Sequence, residues 1–90
     1  MSKQEQELEN KCKIFARSQG WIAFKNVPDG LKGIPDDTFV HIKTQKVIFV
    51  EFKTPTGRLS RTQTHWQNTL PALIHVVRTF DEFWKLLSSF

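Results

Sequence analysis

Three residues near the middle of the chain have the side chains needed to hold a divalent metal ion beside a phosphate group. Asp36 and Glu51 supply carboxylates, and Lys53 follows Glu51 by two positions. Mg²⁺ and Mn²⁺ prefer hard oxygen ligands, and one or two carboxylates usually bind them. A lysine beside them neutralises charge on a scissile phosphate or orients the attacking water. A structural ion pair at a sheet edge is the alternative, and residue types alone favour neither.

A predicted β-hairpin brings these residues together. Its strands are predicted over residues 36–43 and 46–53, with the turn centred between residues 44 and 45. Such a turn places Asp36 opposite Lys53 and diagonal to Glu51, all on one face of the sheet. Asp37 points to the other face. A bulge of one residue would exchange the roles of the two aspartates.

A glutamine on a predicted helix is a further candidate for this site. Gln63, Trp66 and Leu70 recur at helical spacing, so Gln63 shares the inward face of the helix. Gln63 also follows Ser60 by three residues, which is the spacing of a capping box. It therefore has both a ligand-binding and a structural interpretation.

Hydrophobic spacing and capping residues predict elements in the order α-β-β-β-α-β-α. The first helix, over 4–18, has an apolar stripe of Leu8, Cys12, Phe15 and Ala16. The strand over 47–53 opens with four apolar residues, which is typical of a central strand. The other predicted elements are a strand over 21–24, a loop over 27–35, a helix from Ser60 to about Leu70, a strand over 74–78 and a helix from Thr79 to about Leu87. This order indicates an α/β fold, in which helices flank a mixed sheet, as a single domain over residues 1–90.

Composition narrows the classes of function. The chain carries a formal charge of +4 and has a pI of about 9.5, which favours a polyanionic partner such as nucleic acid. It has no long apolar run and no apolar leader after its polar start, and Cys12 is its single cysteine. We therefore expect no membrane partner and a cytoplasmic location. No phosphate-binding glycine loop is present, so no small-molecule cofactor is expected.

Several short motifs in sequence order resemble the VRR-NUC family of the PD-(D/E)XK nuclease superfamily. They are Gly33-Ile34-Pro35-Asp36, Glu51-Phe52-Lys53, Gly57-Arg58-Leu59-Ser60 and Gln63. The likeness extends over nearly the whole chain, from a glutamate-bearing first helix to the Val76-Val77-Arg78 segment. The chain most resembles the stand-alone phage or bacterial members of the family.

The resemblance implies an α-β-β-β-α-β core, here with an extra C-terminal helix, that hydrolyses phosphodiesters with Mg²⁺ or Mn²⁺. Asp36 and Glu51 would bind the metal with the carbonyl of Phe52, and Lys53 would assist the attacking water. Gln63 would support the site. Glu5 would be the acid supplied by the first helix, with Glu9 as the second choice. Four basic residues are candidates for nucleic-acid contacts: Lys25, Lys32, Arg58 and Arg61.

For a stand-alone member of this size, the resemblance implies a homodimer that acts on branched DNA such as Holliday junctions. The leading interpretation is therefore a structure-selective DNA endonuclease. The alternatives are a non-catalytic DNA-binding module on the same fold and a small basic interaction protein with structural ion pairs. Four aromatic residues are expected to contribute to a dimer interface: Trp21, Phe83, Trp84 and Phe90.

Overall fold

Four β-strands form one mixed sheet that has helices on both faces. The computed structural model describes residues 1–27 and 30–90. The elements in chain order are α1 (Lys3–Ser18), β1 (Trp21–Lys25), β2 (Asp37–His41), β3 (Val47–Phe52), α2 (Arg61–Thr69), β4 (Ile74–Val77) and α3 (Phe80–Ser88). This order confirms the predicted α-β-β-β-α-β-α sequence. Of the loop predicted over 27–35, Pro28 and Asp29 lie outside the described residues.

The strands lie side by side in the order β1-β2-β3-β4. The first two pairs are antiparallel, and β3 pairs with β4 in parallel through the α2 crossover. The apolar strand β3 is therefore an interior strand, as its composition predicts. Within the described ranges, no helix is both long enough and apolar enough to cross a membrane.

The register of the β2–β3 hairpin differs from the prediction by two residues. Asp37 pairs with Val50, and one further step of the ladder brings Asp36 opposite Glu51 rather than Lys53. The reason is an earlier turn, because the strand ends at His41 and residues 42–45 form the loop. Gln45 adopts a left-handed φ of 64° to close it. Because the shift is even, every side chain stays on its predicted face.

One face of the sheet is covered by α1 and α3. Phe39, Val50 and Phe52 project from this face and are fully buried, and Phe83 of α3 packs against both phenylalanines. Cys12 and Ala16 of α1 complete this core, so the predicted apolar stripe is confirmed. Trp21 is also buried in it. The expectation that Trp21 and Phe83 contribute to a dimer interface is therefore wrong, whereas Trp84 and Phe90 are about half exposed.

The other face of the sheet is only partly covered by α2, none of whose nine residues is buried in the described part of the chain. Ladder parity places six uncharged strand residues on this face, together with Glu51 at the end of β3: Ile22, Phe24, Thr38, Val40, Val47 and Phe49. We call these six uncharged residues the open sheet face. Ile22, Phe24 and Val47 are 38%, 55% and 40% exposed. A cavity of about 460 Å³ between this face and α2 continues the apolar surface over Val27 and Leu70.

The three-residue spacings of Ser60 with Gln63 and of Thr79 with Glu82 predict a capping box at α2 and a second one at α3. The first is confirmed and the second is half confirmed. Ser60 accepts a hydrogen bond from the Gln63 backbone, and the Gln63 side chain accepts one from the Ser60 backbone. Thr79 likewise accepts from the Glu82 backbone, but the Glu82 carboxylate accepts from the backbone of Arg78 instead. The second box is therefore open on one side.

Candidate metal centre

Two acidic side chains meet where β2 begins and β3 ends. Asp36 precedes β2, and its Oδ2 accepts a hydrogen bond of 2.8 Å from the backbone N–H of Phe52. Its carbonyl accepts a second bond, of 2.9 Å, from the backbone of Asn26. These bonds fix Asp36 beside Glu51, the residue before Phe52. The predicted convergence of the two carboxylates is present, although the register that produces it is different.

Glu51 is 5% exposed, which is unusual for a glutamate. Burial, followed by repulsion from Asp36, raises the pKa of Glu51 to about 8, even though Lys53 lowers it. Its Oε1 is buried and has no hydrogen-bond partner among the described residues. A buried carboxylate without a partner beside a second acid is a site at which a cation is stabilising.

Lys53 directly follows β3 and is half-buried. Its backbone N–H donates to the carbonyl of Val77 at 3.0 Å, which fixes the end of the strand. Within the described ranges, its side chain forms no ion pair within 4 Å. Its positive charge is nevertheless close enough to lower the pKa of Glu51. The ion-pair alternative, Lys53 with Asp36 or Glu51, is therefore not what the structure contains.

The first helix brings two glutamates to this region in different ways. Glu5 is half-buried and is close enough to Glu51 to contribute to the rise in its pKa. Its side chain and backbone also form a capping box with Ser2. The Ser-x-x-Glu spacing of this box is a signal that sequence reasoning missed. Glu9, the second choice, is buried and pairs with Lys25 at 2.7 Å.

Glu9 belongs to a buried ionic network that sequence reasoning did not anticipate. Lys13 lies 3.0 Å from Asp37 and 3.6 Å from Glu9, and Lys25 holds Glu9 from the other side. Burial first, then interaction with the nearby Glu9 carboxylate, raises the pKa of Asp37 to about 7. Burial would also raise the pKa of Glu9, but interactions with Asp37 and Lys25 lower it overall. The four-residue spacing of Glu9 and Lys13 was the available signal.

Gln63 and the Gly33 loop meet at the start of α2. The Oε1 of Gln63 is engaged in the capping box, so the structural interpretation of this residue holds. Gly33 has a φ of +76°, and a Cβ there would lie 2.7 Å from the backbone of Gln63 and 2.5 Å from the Thr62 hydroxyl. The two motifs that contain Asp36 and Gln63 are therefore in direct backbone contact.

Gly33→Ala is expected to destabilise the protein by roughly 2–4 kcal/mol, because it combines a left-handed φ with a backbone clash. Gly30→Ala is the matched control. Gly30 has a φ of +86°, but its Cβ would meet no described atom within 4 Å, so about 1 kcal/mol is expected. Urea unfolding measures both. Equal losses would show that the contact with α2 is unimportant.

The four basic residues predicted to contact nucleic acid have different environments. Lys25 donates to Glu9, although its side chain is 49% exposed. Lys32, Arg58 and Arg61 are exposed and, within residues 1–27 and 30–90, form no ion pair. Arg58 lies in the loop between Lys53 and α2, and the Arg78 guanidinium holds that loop by bonds to the carbonyls of Thr54 and Gly57.

The residues present fit a hard divalent cation. No three acidic, histidine or cysteine side chains form a metal-binding group among the described residues. Two carboxylates suffice for an ion that keeps several waters. Asp36 and Glu51 supply them, and the unpartnered Oε1 of Glu51 is the atom that a cation would satisfy.

Comparisons with known proteins agree with this architecture. The family model of the VRR-NUC domain matches residues 1–73. A solved structure described as a VRR_NUC domain superposes with a TM-score of 0.87 at 19% sequence identity, and the match covers 99% of each chain. At that identity the superposition shows a shared fold. Among curated proteins, none matches the sequence.

Proposed function

Since this chain belongs to the VRR-NUC domain family, which has a nuclease-type fold, we propose that it is a divalent-metal-dependent DNA endonuclease. The observation that carries this proposal is the pairing of Asp36 with the buried Glu51, whose Oε1 has no partner in the described residues. Like charges in a buried site are costly unless a counter-ion or a proton is bound. A metal ion bound there would offset the repulsion and would polarise a phosphate group.

The proposed roles follow from the positions of the side chains. Asp36 and Glu51 would hold Mg²⁺ or Mn²⁺ with the carbonyl of Phe52, and the bound ion supplies Lewis-acid polarisation of the scissile phosphate. Lys53, on the same side of the strand as Glu51, neutralises charge on that phosphate and orients the attacking water. Glu5, which is close enough to Glu51 to raise its pKa, would be the acid supplied by α1, and Gln63 would support the site. Arg58 and Arg61, which precede Gln63 in the sequence, would contact the DNA backbone.

The proposal is tested by incubating the protein with duplex, single-stranded, flap and four-way-junction DNA, each with Mg²⁺, Mn²⁺ or EDTA. Cleavage is expected only with the metals, and Lys53→Ala should not cleave. Metal-independent binding of DNA with no cleavage would instead establish the non-catalytic module. Preference for the junction over the duplex would support a structure-selective activity.

We further propose that the protein acts on branched DNA as a homodimer. The support is the open sheet face, five of whose six residues are apolar and which is continued by Val27, Leu31 and Leu70, with Glu51 at its end. Half of the exposed large hydrophobic residues of the described chain lie on this surface. An uncharged apolar surface is complementary to a copy of itself, as a two-fold interface requires. Two sites in one dimer would match the two symmetric strands of a junction.

Phe24→Glu is expected to convert the dimer to a 10.5 kDa monomer at micromolar concentration, because it places a charge at the most exposed residue of the open sheet face. Ile14→Glu is the matched control, since Ile14 is a 74% exposed apolar residue on α1, away from this face. Sedimentation equilibrium measures both. A wild-type monomer, free and with junction DNA, would contradict the dimer, and a dimer of Phe24→Glu would place the interface elsewhere.

A further inference from the structure

Asp37 is a fully buried carboxylate next to the candidate metal ligand Asp36. Its side chain is 0% exposed, and its Oδ1 lies 3.0 Å from the Nζ of Lys13 on α1. Its Oδ2 has no hydrogen-bond partner among the described residues. A buried charge that is retained in this way needs a compensating cation and a reason to be there.

Lys13 is the cation that links this carboxylate to the rest of the fold. Its Nζ is also 3.6 Å from Glu9, which Lys25 approaches to 2.7 Å from β1. Lys25 is the cross-strand partner of Asp37. Two acids and two lysines therefore form a neutral network that joins α1, β1 and the first residue of β2.

The ionic network includes Asp37, whose backbone conformation determines where the side chain of the preceding residue, Asp36, points. Successive side chains of a strand project to opposite faces, so the rotation of the chain at Asp37 sets the direction of Asp36. Asp36 is held on its own side by the N–H of Phe52 at 2.8 Å. On the opposite face of the sheet, Lys13 holds the side chain of Asp37 in the same way.

We propose that Lys13 is a positioning residue for Asp36, acting through Asp37, and thereby tunes the affinity of the centre for a divalent cation. Without the lysine, the carboxylates of Glu9 and Asp37 would face each other in a buried site. Rotation of the strand end towards solvent would relieve that repulsion. It would also weaken the hydrogen bond that the N–H of Phe52 donates to Asp36. The metal-binding consequence rests on the proposed function, but the displacement of Asp36 does not.

The backbone amide of Phe52 reports the position of Asp36 in the metal-free protein. In ¹⁵N-phenylalanine-labelled protein with EDTA, Lys13→Met is expected to shift this amide resonance upfield and to speed its hydrogen exchange. Lys13→Arg keeps the cation and should restore the wild-type signal. Lys11→Met is the control, because Lys11 lies on the same helix but contacts the ring of Phe80.

Isothermal titration with Mn²⁺ provides the second measurement. Loss of a residue that orients a metal ligand typically costs 10–100-fold in metal affinity. We therefore expect Lys13→Met to weaken Mn²⁺ binding about tenfold or more, while Lys13→Arg and Lys11→Met remain near wild type. If Lys13→Met does not fold, Lys13→Gln, which also removes the charge but keeps a polar side chain, should give the same two changes.

The outcomes separate this inference from the proposed function. An unchanged Phe52 amide in a folded Lys13→Met or Lys13→Gln variant overturns the inference, even in an active nuclease. A displaced amide with unchanged Mn²⁺ affinity overturns it as well. A wild-type protein that neither binds Mn²⁺ nor cleaves DNA overturns the proposed function and the tuning of affinity, and the amide still decides the placement of Asp36.

Discussion

Glu51→Gln is expected to lower the rate of metal-dependent DNA cleavage by about a thousandfold. The amide keeps the shape of the side chain, but it removes one of two charged ligands of the proposed ion. A metal contributes several kcal/mol of charge stabilisation at a phosphoryl group, which corresponds to a factor on the order of a thousand in rate. Single-turnover cleavage of junction DNA with saturating Mg²⁺ measures this change.

The matched control is Glu7→Gln, the same substitution at an exposed position of α1. It should retain wild-type cleavage. Glu51→Gln should still bind DNA, because the candidate contacts Arg58 and Arg61 are unaffected. Cleavage within tenfold of wild type in Glu51→Gln would remove Glu51 from the metal centre.

The second large effect is on stability, which without metal should fall as the pH rises. The folded-state pKa of Glu51 is raised from 4.5 to about 8 by burial and then by Asp36. Deprotonation is therefore harder in the folded protein than in the unfolded chain. The stabilising contribution of the protonated group is fully present below pH 4.5 and is lost as the pH rises to about 8. Asp37, raised from 3.8 to about 7, acts in the same direction.

Glu51→Gln should remove the Glu51 contribution, about half of this pH dependence, and leave that of Asp37. In EDTA at pH 9 the variant is expected to be more stable than wild type by roughly 2–4 kcal/mol, or about 10–20 °C in Tm. At pH 5 the two proteins should differ little, and Mn²⁺ should stabilise wild type alone at pH 9. Urea unfolding at both pH values measures this. Parallel losses with rising pH in both proteins would show that Glu51 is not the group responsible.

Much of the fold follows from local signals in the sequence. The Ser60–Gln63 box begins α2 because the two side chains satisfy each other's backbone groups. The apolar run of β3 specifies an interior strand. The face shared by Asp36 and Glu51 was predictable because strand parity survives an even shift in register.

Two features were not predictable from these signals. The hairpin turn depends on Gln45, which adopts a left-handed φ although no glycine or asparagine marks that position. The ionic network depends on tertiary packing that joins Lys13 to Asp37 over a separation of many residues. An exposed charge and a buried, paired charge have the same letter in the sequence. The metal and nucleic-acid roles of the individual residues remain predictions.

Because none of its residues is buried, α2 is expected to unfold locally before the sheet does. A helix with no buried residue has little apolar area to lose when it unfolds, so its amides should exchange with solvent long before those of β3. The contact with Gly33 and the Ser60 cap hold only its first turn. In the proposed dimer, the partner would cover Leu70 at the other end. Hydrogen exchange of α2 would then slow as the protein concentration rises, whereas exchange of the sheet core would not.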